Sequence, residues 1–161
     1  MSDLRARLEA CRICEDRFAA TATRHSPRPI VWFRPGARIL IASQAPGARA
    51  HAAERPFLDA SGDRLRDWLG IGHDIFYDQT KLAIVPMGFC FPGYDAKGSD
   101  LPPPKVCATT WREAALEEVG DVPLICPIGG YAQTWHLGRN KGVTDVVSRW
   151  REFAPNIFPL P

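Results

Sequence analysis

Four of the five cysteines in this 161-residue chain are spaced like ligands. Cys11 and Cys14 form a C-x-x-C pair, which can bring two thiolates to one metal. Cys90 and Cys107 follow downstream and would complete a four-sulfur shell for an iron–sulfur cluster, with zinc as the alternative. The same pattern also suits a C-x-x-C redox pair with two core cysteines. Cys126 lies inside the apolar run 122–128 and reads as a small buried hydrophobe.

A second group of candidates lies between residues 38 and 70. Gln44-Ala45-Pro46-Gly47 forms an abrupt turn, followed by Pro56-Phe57, Asp59 and Ser61-Gly62. Phe57 offers an aromatic face and Asp59 a carboxylate, while the turn offers backbone N–H groups. Phe57 as a plain core residue and Asp63 as a helix-flanking charge are the alternatives. His51 is a further polar group in this loop, of the kind usually just solvated. The elements around these residues are readable. The apolar run 38–43 predicts a buried strand, and an amphipathic helix follows with Leu65, Trp68 and Leu69 on one face. Strand, tight turn, loop and helix place a ligand site at the carboxyl end of a strand. A slot for a flat base suits those side chains.

The remaining chain alternates strand and helix patterns. Residues 3–18 have roughly helical apolar spacing, with the C-x-x-C at or just past a helix, and 30–33 reads as an edge segment. Strands are predicted at 81–85, 122–128 and 156–160, and helices at 105–119, 131–137 and 143–153. The helix from Lys105 starts after three prolines, which could not stand inside it. This predicts a single α/β domain over 1–161, a three-layer α/β/α sandwich around a four-stranded parallel sheet.

Composition narrows the function classes. No stretch is as long and apolar as a membrane span, and the N-terminus lacks the apolar core of a signal peptide. A cytoplasmic protein without disulfides, working as a monomer and away from membranes, is the expectation. A net charge of +2 does not by itself argue for nucleic acid. Its layout is more suggestive: every basic residue in the first 66 is arginine, suited to gripping phosphate, although an arginine-rich solvated surface reads the same way.

Taken together, the motifs resemble the uracil-DNA glycosylase superfamily, and most closely its branch with a 4Fe–4S cluster. Gln44-Ala45-Pro46-Gly47 is similar to the family's Gly-Glu-Ala-Pro-Gly turn, and Pro56-Phe57 with Ser61-Gly62 resembles its Pro-Phe-x-Gly-x-x-Gly stretch. Gly129-Gly130-Tyr131-Ala132 resembles the Gly-x-x-Ala after the third strand, and the cysteine layout matches in order. The resemblance implies a DNA glycosylase of base excision repair, a hydrolase acting on uracil or another damaged base in DNA. It implies base binding by Gln44, Ala45, Pro46, Gly47 and Phe57, with the cluster held by Cys11, Cys14, Cys90 and Cys107.

The chain also departs from that pattern. Gln44 stands where the iron–sulfur branch has Glu, Ala45 where other branches have Asp, and Pro86 where an Asn reads uracil. Gln44 can then contact a base edge but cannot act as a base, so Asp59 is the candidate carboxylate for orienting water. Residues 156–161 resemble the strand that leads to a His-Pro-Ser motif, and the sequence ends where that His would stand, so the domain reads as lacking that segment and the last helix. A weak or inactive nucleic-acid-binding module of the same fold is therefore the competing expectation. A cluster- or zinc-bearing structural protein with no nucleic-acid role is the third.

Overall fold

A computed structural model describes residues 3–138 and 141–161. Three parallel strands form its sheet: β1 (Ile39–Ala42), β2 (Leu82–Ile84) and β3 (Leu124–Pro127), in the order β2-β1-β3. Ile39 pairs with Leu82 on one side and Leu124 on the other. From the central β1 the chain goes first to β2 at one edge and then to β3 at the opposite edge. That reversal opens a crevice at the carboxyl end of β1, the usual ligand position in open α/β sheets.

The helices are α1 (Asp3–Glu9), α2 (Glu15–Ala19), α3 (Ala48–Ala53), α4 (Ala60–Leu69), α5 (His73–Phe76), α6 (Lys105–Cys107), α7 (Glu113–Val119), α8 (Gly129–Leu137) and α9 (Val143–Ser148). A π-helical turn, Ala108–Arg112, joins α6 to α7 where one regular helix was predicted, and a 3-10 turn, Trp150–Glu152, follows α9. Alternation along the strands produces two cores. Leu40, Ala83 and Val85 pack with Leu8, Trp111, Ala115 and Val119 on one face. Ile41, Leu82, Ile84 and Cys126 pack with Leu65 and Phe76 on the other. Each buried Leu or Phe contributes about 2 kcal/mol relative to an exposed position.

The sheet has three strands rather than the predicted four, and the reason lies in Pro127. The segment 156–160 does run parallel to β3: Ile125 N–H donates to the Asn156 carbonyl, Phe158 N–H to Ile125, and Leu160 N–H to Pro127, at 2.8, 2.9 and 3.0 Å. The rung between them needs an N–H at position 127, which proline lacks. Two isolated bridges remain, Ile125 to Ile157 and Ile128 to Leu160. At the other edge, Trp32 in the predicted segment 30–33 makes an antiparallel bridge to Ile84.

Trp68 also departs from expectation. It is 48% exposed, because α4 turns Gly62, Leu65 and Arg66 inward and leaves Trp68 beside that face. Among the described residues, no helix is long and apolar enough to cross a membrane.

Candidate functional site

The turn after β1 is pinned by the chain beyond β2. Val85, Met87 and Gly88 donate their N–H groups to the carbonyls of Ile41, Ser43 and Gln44 at 2.8–2.9 Å. The turn's own donors are left over. Among the described residues, the N–H groups of Gln44, Ala45 and Gly47 reach no protein acceptor, and Pro46 has none to give. Beside them opens a pocket of about 120 Å³, bordered by Ala45, Pro46, Gly47, Phe57, Asp59 and Pro86, among others. Four of the five residues predicted to bind a base thus line one cavity.

Gln44 is the fifth, and it stands apart. It borders two adjoining clefts instead, one with Phe57, Arg64 and Trp68, the other with Tyr131, Trp135 and Lys141. Pro86 does line the pocket and presents a ring without a donor there.

Phe57 has a left-handed backbone, with φ 56°. A non-glycine residue there costs roughly 1–2 kcal/mol, so its surroundings must hold it. Three features do so. Its carbonyl accepts from Arg66 Nη1 at 3.1 Å and shares the single Tyr77 hydroxyl proton, at 3.1 Å, with the Pro56 carbonyl at 2.9 Å. Arg66 is itself buried and is anchored to Asp63 at 2.8 Å. Gly62 passes so close that a Cβ there would stand 1.9 Å from the Phe57 carbonyl oxygen. The Phe57 ring meets Phe76 edge to face, with centroids 5.8 Å apart.

The carboxylates divide by role. Asp59 caps α4, accepting from Gly62 N–H at 3.0 Å through Oδ1. Its Oδ2 faces the turn, 3.6 Å from a Cβ built on Gly47. Asp63 is spent on Arg66 and is largely exposed. Asp100, which sequence reasoning did not single out, borders the same pocket as Asp59. Burial, reinforced by the charge of Asp59, raises its pKa. Trp32 was missed as well: it lines the pocket, and its Nε1 is buried with no acceptor among the described residues. Neither has a local signal, since both reach the pocket from distant segments. His51 packs on His25 and Phe91, and burial lowers its pKa, with His25 adding to the effect.

The four cysteines expected to act as ligands border a separate pocket. Cys11, Cys14, Cys90 and Cys107 line one mostly apolar pocket of about 20 Å³ together with Phe18, Phe89 and Trp111. All four are free thiols. Trp111 Nε1 donates to Cys11 Sγ and Phe89 N–H to Cys107 Sγ, both at 3.3 Å. Such donors favour sulfur that carries charge. Burial pushes the Cys90 thiol up to about 12 and Cys107 up to about 11, and raises Cys14 as well. Free of metal, those three are therefore neutral thiols at pH 7; a bound cation would deprotonate them. Among the described residues, no three His, Cys, Asp or Glu side chains are already arranged around a single ion position. Cys126 is buried in the opposite core, as expected.

A family comparison covers most of this architecture, from the edge segment through β1, the turn, Phe57, both carboxylates and Cys90 and Cys107. It leaves out Cys11 and Cys14, which precede the matched region. The matching description is the Uracil DNA glycosylase superfamily, over residues 30–161, and the chain belongs to that superfamily.

Proposed function

We propose that the chain is a base-excision DNA glycosylase that takes a flipped-out uracil, or a similarly shaped damaged base, into the pocket beside Phe57. One observation carries this: an aromatic ring, two unengaged turn amides and two carboxylates border the same cavity at the carboxyl end of the central strand. Flipping costs a few kcal/mol, and stacking on Phe57 returns about 1–3. The Ala45 and Gly47 amides are preset donors for a base carbonyl that gains negative charge as the N-glycosidic bond breaks. Asp59, held by its capping bonds, keeps one oxygen toward the turn, where it can orient water and offset positive charge on the sugar. Gln44 serves as a contact and not as a base. The test is release of free uracil from a single-stranded uracil oligonucleotide, with loss of release in Asp59→Asn and Phe57→Ala.

A second reading is favoured by Gln44 and Pro86, which remove a carboxylate and an amide from places where the motif would have them. On that reading the same pocket binds the base without cutting it. Uracil-dependent DNA binding with no uracil release would select it.

The cysteine pocket is proposed to hold a 4Fe–4S cluster, with zinc as the alternative. Four thiols in one apolar cavity and N–H donors on two of the sulfurs support this. Bound there, the group supplies cross-linking and no chemistry at the base: it ties the loop between α1 and α2 to the segment 89–107. Iron and sulfide content, with absorbance near about 400 nm, against zinc content decides between the two.

A further inference from the structure

The exposed face of α8 carries a pair of aromatic residues that the pocket does not use. Tyr131 and Trp135 are 48% and 42% exposed. Their i, i+4 spacing places them on one side of the helix. Two shallow clefts meet at this pair. Met87 borders both; Arg17 and Lys105 border one, and Lys141 and Gln44 the other. No acidic residue lines either cleft among the described residues. Gln44 makes the second cleft continuous with the turn of the base pocket.

Trp135 is also held from beneath. The Arg112 guanidinium carbon lies 4.9 Å from its ring centroid, and Arg112 is fully buried. Arg112 Nη2 contacts the Val85 carbonyl at 3.3 Å and His136 Nε2 at 3.0 Å, while Nε and Nη1 have no acceptor among the described residues. Among the described residues, no carboxylate pairs with this cation. The indole is therefore fixed by a cation–π contact on its inner side, and its outer side remains open.

We propose that this face is a second nucleic-acid subsite, which stacks one or two unpaired bases of the strand leaving the pocket on Tyr131 and Trp135. Lys105 and Lys141 would hold the intervening phosphates. The proposal rests on the reading that DNA occupies the pocket, and it adds a preference for single strands, since paired bases cannot present a free face to the indole. Base–aromatic stacking tolerates any sequence, so the subsite would work without uracil.

The test uses the whole chain and two single-stranded oligonucleotides, one with a central uracil and one without, plus a uracil-free duplex. Binding to the uracil-free single strand is expected to weaken about tenfold in Trp135→Ala, less in Tyr131→Ala, and little in Trp135→Phe. Lys105→Ala and Lys141→Ala should each reduce the salt dependence of that binding by about one counterion. Duplex binding should be weaker than single-strand binding and should respond less to Trp135→Ala. Unchanged uracil-free affinity in Trp135→Ala, with unchanged salt slopes in the lysine variants, overturns the proposal. So does unchanged DNA affinity with loss of self-association, which would make the face a protein interface. Should Trp135→Ala fail to fold, the lysine slopes and Tyr131→Ala decide. Failure of the pocket reading looks different: the two single strands would bind equally well to the unaltered chain.

Discussion

The cysteine pocket and the base pocket adjoin the cores on opposite faces of one sheet and are built by different physics. The cysteine pocket belongs to the core of Leu8, Leu40, Val85 and Trp111, and apolar burial shapes it. The base pocket borders the core of Ile41, Leu65 and Phe76, and polar bonds to one strained carbonyl shape it. A site held by burial yields gradually when one side chain is trimmed. A site held by a single backbone conformation either keeps that conformation or loses the platform.

Gly62→Ala should therefore give the largest effect. Its Cβ would stand 1.9 Å from the Phe57 carbonyl oxygen and 2.9 Å from the Phe57 Cβ, and neither can retreat without breaking the Arg66 and Tyr77 bonds. A loss of about 3–5 kcal/mol in urea unfolding is expected, a large part of a domain's usual 5–15. Uracil-dependent DNA binding should vanish with it. Cys14→Ala is the counterpart on the other face. On the proposed metal site it should abolish binding of iron, or of zinc, and lower the thermal midpoint, while uracil-dependent binding survives. Loss of that binding together with the metal would show that the two sites are not independent.

This contrast also explains which parts of the molecule are legible in the sequence. Apolar runs located all three strands, and cysteine spacing located four thiols that share a cavity. Phe57 and Asp59 could be picked out because the turn and helix start that frame them are local. What fixes Phe57 is not local: Arg66 and Tyr77 lie further along the chain, and a mid-helix arginine reads as solvated until its buried contact is seen. The predicted inward Trp68 failed for the same reason, because Arg66 occupies the position that hydrophobicity assigns to a neighbour. The missing fourth strand follows from one absent N–H at Pro127, although the segment 156–160 still runs beside β3. Asp100 and Trp32 gave no signal, since each joins the pocket only through the fold.

A smaller effect tests the cysteine-side core through pH. Burial, with the Arg112 charge adding to it, lowers His136 from 6.5 to about 4, so the folded chain holds it neutral as an acceptor for Arg112. Above pH 6.5 the ring is neutral in both folded and unfolded chains and contributes no slope. Between 6.5 and 4 the unfolded chain takes up a proton that the folded one refuses, so stability falls on acidification and levels off below 4. Discounted for the ring's partial exposure, the loss should be about 2 kcal/mol, and His136→Gln should flatten that part of the profile. On the opposite face, Tyr77→Phe should cost about 1 kcal/mol by removing the hydroxyl that the Pro56 and Phe57 carbonyls share. Its larger readout is uracil discrimination, which should fall while uracil-free DNA binding stays constant.

The smallest expected effect is the most specific to the base pocket. Asp100 has a raised pKa because burial and then the charge of Asp59 disfavour its ionised form. A carboxyl raised in the folded state adds stability when protonated and loses that contribution as pH rises through its folded pKa. Asp100→Asn should therefore stabilise the chain slightly at pH 7, by roughly a few tenths of a kcal/mol for so exposed a group, and the gain should shrink as pH falls through the carboxylate range. Asp59→Asn removes the second cause of the shift and should move the Asp100 titration, followed by carboxyl NMR, back toward ordinary values. If Asp100 titrates unchanged in Asp59→Asn, the two carboxylates do not share a field. The pocket would then present two independent acids to a bound nucleotide instead of a coupled pair, and burial alone would account for the raised Asp100 pKa.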